Sequence, residues 1–159
     1  MTTPEHNNGS DAVNLAHARS ADQLRDMEDI EQRNICFMCP EHVDEFFGDY
    51  DGLIDEAEHS FLVENRFPYE NTELHYMVIP KQHATKLAEL SDEFMVEVLS
   101  FAQSLEEQYQ VVGGGLAMRF GESDISGASA SHIHAHIIVP RTDIESGDKP
   151  VRFRISPRY

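Results

Sequence analysis

Three histidines at two-residue spacing, His132, His134 and His136, fall in the stretch Ser131-His132-Ile133-His134-Ala135-His136-Ile137-Ile138-Val139-Pro140. In a β-strand, side chains at i, i+2 and i+4 point the same way. The spacing therefore predicts a strand over 133–139, with the three imidazoles on one face and Ile133, Ala135, Ile137 and Val139 on the other. A neutral imidazole is a good nucleophile toward phosphorus, and neighbouring imidazoles can donate protons to phosphoryl oxygens. The same pattern can also share one metal, since histidine is a common zinc ligand.

A second constellation is Cys36-Phe37-Met38-Cys39, followed by Pro40. Two thiolates at this spacing in a turn can bind one tetrahedral zinc, which then needs two more ligands. His42, His83 and one member of the triplet are the available partners. A redox pair is the competing reading, but a thioredoxin-like motif should open a helix after a strand, which Pro40 and the acidic surroundings do not suit. A third stretch, Val78-Ile79-Pro80-Lys81-Gln82-His83, reads as a strand running into two polar groups at the sheet end.

These groups must be positioned by ordinary elements. Residues 1–19 are polar and read as a disordered tail, leaving 20–159 as a single domain. The spacing predicts a short helix over 20–33, with Ser20 as N-cap and Leu24, Met27 and Ile30 on one side. Residues 45–58, acidic and holding two glycines, read as a loop. Strands are predicted over 60–63, 74–79 and 115–120, and a loop over 121–131. The strongest helix is 92–109, capped by Ser91, with Phe94, Val98, Phe101 and Leu105 at helical spacing. Val151, Phe153 and Ile155 alternate with Arg152 and Arg154, which predicts a last edge strand guarded by charge. Its basic residues, with Lys149 and Arg158, could instead receive phosphates. Strands joined by short links, with one long helix crossing between them, predict an α+β domain on an antiparallel sheet.

The 159 residues carry 29 acidic and 12 basic side chains, a formal charge of −17. Binding to nucleic acid or anionic membranes needs surplus Lys and Arg, so neither is expected as a partner. No stretch approaches the ~18 apolar residues of a membrane span, and the N-terminus lacks the pattern of a signal peptide. One Cys-x-x-Cys pair without an export signal points to reduced thiols and a cytoplasmic location.

The triplet with its apolar neighbours matches His-φ-His-φ-His-φ-φ, and the chain thereby resembles the histidine triad (HIT) superfamily. Further stretches resemble it in order. These are Cys36-x-x-Cys39 of zinc-containing bacterial-type members, Val63-Glu64-Asn65-Arg66-Phe67-Pro68, Val78-Ile79-Pro80-Lys81-Gln82-His83, and Pro140-Arg141. The resemblance implies an α+β fold with a HIT-like antiparallel sheet of about five strands, one long helix and a short N-terminal helix, in a homodimer. It implies a nucleotide hydrolase or nucleotidyltransferase acting at the α-phosphate of a nucleotide conjugate, such as a dinucleoside polyphosphate or a nucleoside phosphoramidate. His134 would attack to form a nucleotidyl-histidine intermediate, and His136 would contact a phosphoryl oxygen and help the leaving group. Asn65 would bond the ribose and Ser129 the phosphate or leaving group, with Arg119 as a further phosphate contact. Structural zinc would sit on Cys36, Cys39, His83 and His132. The loop before the triad departs from the family's Gly-Gln-Ser/Thr-Val: Ala128 replaces Gln and Ala130 replaces Val. That departure keeps open a nucleotide-binding module with little turnover. An Ap4A-type phosphorylase, and a metalloenzyme with all three histidines on one metal, stay open as well.

Overall fold

A computed structural model describes residues 12–48, 52–143 and 150–156. Five strands form one fully antiparallel sheet: β1 (Leu53–Glu56), β2 (Ser60–Glu64), β3 (Thr72–Pro80), β4 (Gly115–Met118) and β5 (Ala135–Pro140). Their spatial order is β1-β2-β3-β5-β4. The register sets Met77 beside His136 and Val78 beside Ala135 at the centre of the sheet.

Strand alternation divides the core into two layers. Leu62, Tyr76, Val78, Ala135 and Ile137 pack against α3 (Asp92–Tyr109) through Phe94, Val98, Phe101 and Leu105. Ser91 caps that helix by accepting a hydrogen bond from the Phe94 N–H. The next residues along β2 and β3, namely Phe61, Val63, Met77 and Ile79, belong instead to a cluster with Met38, Val43, Phe47 and Ala130. The sheet is thus covered on both faces. His75 and His136 share the strand parity of Met77 and so face the N-terminal layer, away from α3.

That N-terminal layer holds α1 (Ala21–Arg33) and α2 (Val43–Phe47). The α1 helix starts where Ser20 accepts the Gln23 N–H, and it ends at Asn34 in the left-handed region, φ 53°. Met27 and Ile30 on its buried side pack on Val13.

Four expectations change. Residues 12–19 are not a free tail: Val13 forms an antiparallel bridge with Ala130, Leu15–His17 make a 3-10 turn, and His17 is buried. Residues 1–11 lie outside the described residues. The acidic run over 45–58 hides two elements. Phe46 and Phe47 give α2 an apolar side, and β1 is an edge strand with Ile54, Asp55 and Glu56 exposed, so it needs little apolar content. A short helix α4 (Ser123–Ser126) interrupts the loop predicted over 121–131. The last strand does not form among residues 150–156, because that segment turns across the mouth of the site instead of adding to the sheet. Gly127, at φ 78°, lies so close to it that an added Cβ would stand 2.5 Å from the Ser156 carbonyl oxygen.

Candidate functional site

The triplet does not lie together on one strand face. Only His136 is in the β5 ladder, while His132 and His134 precede it. The Ile133 N–H donates to the Ala84 carbonyl, 2.8 Å, so the approach to β5 is tied to the segment after β3. As a result the three imidazoles divide between two places.

His132 turns toward the cysteines. Its Nδ1 lies 3.2 Å from Cys36 Sγ and 3.7 Å from Cys39 Sγ, and Cys39 Sγ lies 3.3 Å from His83 Nδ1. One ligand atom from each of the four residues falls within 4.8 Å of all the others. The other ring nitrogen of His132 is 2.9 Å from the Pro80 carbonyl oxygen. A carbonyl can only accept, so Nε2 carries the proton and Nδ1 presents a lone pair to the thiols. Two sulfurs and two imidazoles converging this way match a closed tetrahedral metal shell, and a carbonyl holding the far nitrogen is the usual support for a ligating histidine. Burial pushes the Cys36 thiol up, and burial with the neighbouring Cys36 pushes Cys39 up to about 12. Burial, then His83, lowers His132 to about 3. His42 does not belong to the cluster.

His134 and His136 stay in the cleft, ring centroids 4.6 Å apart and edge to face. His134 Nδ1 lies 2.9 Å from the His132 carbonyl oxygen. By the same reasoning Nδ1–H donates there, and Nε2 keeps its lone pair. Burial lowers this imidazole to about 4, so it is neutral at pH 7.

The proton on His136 is set by His75, a residue that no sequence motif singles out. The Tyr69 backbone N–H donates to His75 Nδ1, 3.1 Å. His75 must then carry its proton on Nε2, which lies 2.9 Å from His136 Nδ1. His136 Nδ1 therefore accepts, and its Nε2 holds the proton. Burial lowers both groups, His75 to about 3 and His136 well below the usual imidazole value. The signal for His75 was its parity: it lies two residues before Met77, which pairs with His136.

Asn65, Ser129 and Arg119 line the same cleft as His134 and His136. Asn65 accepts the Phe67 N–H through Oδ1, and its amide nitrogen is 3.2 and 3.5 Å from the two ring nitrogens of His75. Arg119 is held on three sides. Its Nε donates to the Arg154 carbonyl, Nη1 donates to the Tyr69 hydroxyl at 2.9 Å, and the guanidinium lies 3.9 Å over the Phe153 ring. Phe153 in turn meets His136, centroids 5.3 Å apart. Arg152 and Arg154, expected to guard an edge strand, line the cleft instead, together with Arg19 and Arg66. With Arg119, five of the twelve basic residues of a chain with net charge −17 line one cleft. Met27 and Ile30 of α1 with Phe37 and Phe46 add an apolar lining, and Asp26, which pairs with Arg66, also lines the cleft. Lys149 and Arg158 lie outside the described residues.

The arrangement offers one imidazole lone pair and one imidazole N–H side by side, in a cleft lined by both cationic and apolar side chains. Such a site can attack an electrophilic centre and donate to its oxygens, and it suits an anion joined to a flat apolar group.

The HIT domain family profile matches residues 49–143. The chain is 28% identical over 92 residues to an adenosine 5′-monophosphoramidase of Saccharomyces cerevisiae, covering 54% of this chain and 56% of that one. It is 30% identical over 87 residues to an uncharacterized 16.1 kDa HIT-like protein of Mycoplasma pneumoniae, covering 54% and 59%. The matches thus span little more than half the length of these relatives. Among solved structures, a zinc-bound histidine triad family protein from Mycobacterium smegmatis is 25% identical with a TM-score of 0.48, covering 67% of this chain and 73% of that one.

Proposed function

From the premise that the chain belongs to the HIT domain family, we propose that it is a nucleotide hydrolase or nucleotidyltransferase working through a nucleotidyl-histidine intermediate. The observation that carries this reading is the pair of contacts, His134 Nδ1 to the His132 carbonyl and His136 Nδ1 to His75 Nε2, that sets the two cleft imidazoles in opposite tautomers. His134 Nε2 is unprotonated and forms the bond to the α-phosphorus while the bond to the leaving group breaks. His136 Nε2–H donates to a phosphoryl oxygen, stabilising charge that grows in the transition state. An acceptor then attacks phosphorus, and the electron pair of the P–N bond returns to His134. The relative named as an adenosine monophosphoramidase supports an adenine nucleotide as the substrate class.

The apolar lining receives the base, Asn65 the ribose, and Ser129 with Arg119 the phosphates. Five arginines along the cleft favour a leaving group that is itself anionic, as in a dinucleoside polyphosphate. The Cys36, Cys39, His83 and His132 cluster would hold zinc. Four protein ligands close its shell, so the metal would tie the N-terminal turn to the triad segment and supply no reacting water. A homodimer is supported by the row Met95, Val96 and Leu99 exposed on α3, and by Leu116 exposed on the edge strand β4. Among the described residues, no helix is long and apolar enough to cross a membrane. A small nucleotide partner, rather than nucleic acid, and a cytoplasmic location complete the proposal.

The test is product chromatography. Wild type and His134→Ala are each mixed with diadenosine tetraphosphate and an AMP phosphoramidate, with and without inorganic phosphate. Release of AMP by the wild type alone is the expected result. ADP formed from the tetraphosphate only with phosphate present would make the protein a phosphorylase. Absence of turnover with either substrate, despite tight AMP binding, would make it a binding module.

A further inference from the structure

The N-terminal segment carries a third imidazole into the cleft. His17 is buried, 6% exposed, yet it lines the same cleft as Ser129, His134 and His136. It lies outside residues 49–143, so the family match does not supply it. Three backbone contacts lay its segment along the loop that leads to the triad. Asn14 N–H donates to the Ser129 carbonyl, Ser131 N–H donates to the Ala12 carbonyl, and Val13 bridges Ala130.

The ring is oriented by the device that orients His134. His17 Nδ1 lies 2.8 Å from the Ala128 carbonyl oxygen. That oxygen can only accept, so Nδ1 carries the proton and Nε2 keeps its lone pair. Among the described residues Nε2 has no protein partner, and it is not sealed from solvent. A buried imidazole with one nitrogen fixed and the other open to a reaction cleft is a proton acceptor.

We propose that His17 is the general base that activates the acceptor water in the second half-reaction. This assignment rests on the nucleotidyl-histidine reading above. The water oxygen bonds to phosphorus and the P–N bond to His134 breaks, its electron pair returning to His134 Nε2. The proton of the water passes to His17 Nε2 and later leaves to solvent. The first half-reaction, attack by His134 and departure of the leaving group, does not use His17.

The experiment separates the halves. His17→Asn keeps a donor near the Nδ1 position for the Ala128 carbonyl and deletes Nε2; His17→Gln is made in parallel, in case the shorter side chain fails to fold. Each is mixed rapidly with diadenosine tetraphosphate or AMP phosphoramidate, whichever the wild type turns over, and followed by leaving-group release and intact-protein mass. The expected result is an unchanged first-turnover burst, accumulation of enzyme carrying one nucleotidyl group, and a steady-state rate lower by about 10²–10⁴-fold. Hydroxylamine, an amine that attacks without first losing a proton, should restore turnover. A purely structural role would slow burst and steady state together, without an adduct, and that outcome overturns the assignment. So does a steady-state rate equal to wild type. Retained turnover in His134→Ala would instead remove the underlying reading, whatever the His17 variants do.

Discussion

His132 and His134 are two residues apart, equally part of the triplet, and both buried. Each gives one ring N–H to a backbone carbonyl at 2.9 Å, yet they use opposite nitrogens. His132 spends Nε2–H on Pro80 and turns Nδ1 toward two thiols. His134 spends Nδ1–H on His132 and turns Nε2 into the cleft. The chemistry available to each imidazole is therefore chosen by a main-chain oxygen, not by the side chain type. The surroundings follow the same split. Around His132 stand groups that can close a metal shell, whereas around His134 stand arginines, a second imidazole N–H and open space for a ligand.

Removing a key group from each region asks whether chemistry or stability suffers. His134→Ala should abolish turnover by well over 10³-fold while nucleotide binding persists, because a nucleophile is lost and the cleft walls remain. Isothermal titration with AMP beside an activity assay checks this. Cys36→Ser should act on the other region. We expect a loss of about 3 kcal/mol in unfolding free energy, with the remaining folded protein still active, because ligation couples to folding. Denaturant melts with and without chelator measure it, and a chelator-insensitive wild type would remove the zinc assignment.

A third variant addresses His75, which sets the proton on His136. His75→Phe should lower kcat about 10²-fold with little change in AMP affinity, because His136 loses the donor that fixes its tautomer. An equal loss in His136→Ala and in the double variant would show that the two act as one unit.

The same imidazoles also set the pH dependence of stability. His75 and His134 are held by burial at about 3 and about 4, and His136 well below its ordinary value. In the unfolded chain each titrates near 6.5. Below that pH the unfolded chain binds protons that the folded state refuses, so stability is full above about 6.5 and falls as pH drops toward 4. Three such groups give a slope of up to about 4 kcal/mol per pH unit near pH 5. Urea melts at several pH values check it, and the slope should shrink by about one group's share in His134→Ala.

Much of this architecture is legible in the amino-acid order. The 3.6-residue pattern of Phe94, Val98, Phe101 and Leu105, bounded by Ser91, leads directly to α3. The apolar run up to Ile79, closed by Pro80, marks β3, and the ordered motifs point to the four thiol and imidazole groups that the fold brings to one place. What stays hidden depends on tertiary contacts. The acidic composition of 53–56 obscures an edge strand that has only β2 to satisfy. Alternation at 151–155 suggests a strand, but Arg119 and Gly127 draw that segment over the cleft. Strict two-residue spacing suggests one shared face for the triplet, while the ladder begins only at Ala135 and frees His132 to turn away. His17 and His75 carry no local signature, since each acquires its role from a partner at least 61 positions distant.

Backbone carbonyls hold His132 and His134 in opposite tautomers, and long-range ¹H–¹⁵N correlation spectra of the imidazoles at pH 7 report those tautomers directly. We expect a protonated Nε2 on His132 and His136 and a protonated Nδ1 on His134, with His134→Ala identifying its own signals. The same tautomer on His132 and His134, or a doubly protonated His134 at that pH, would refute the assignment of nucleophile and ligand to these two imidazoles.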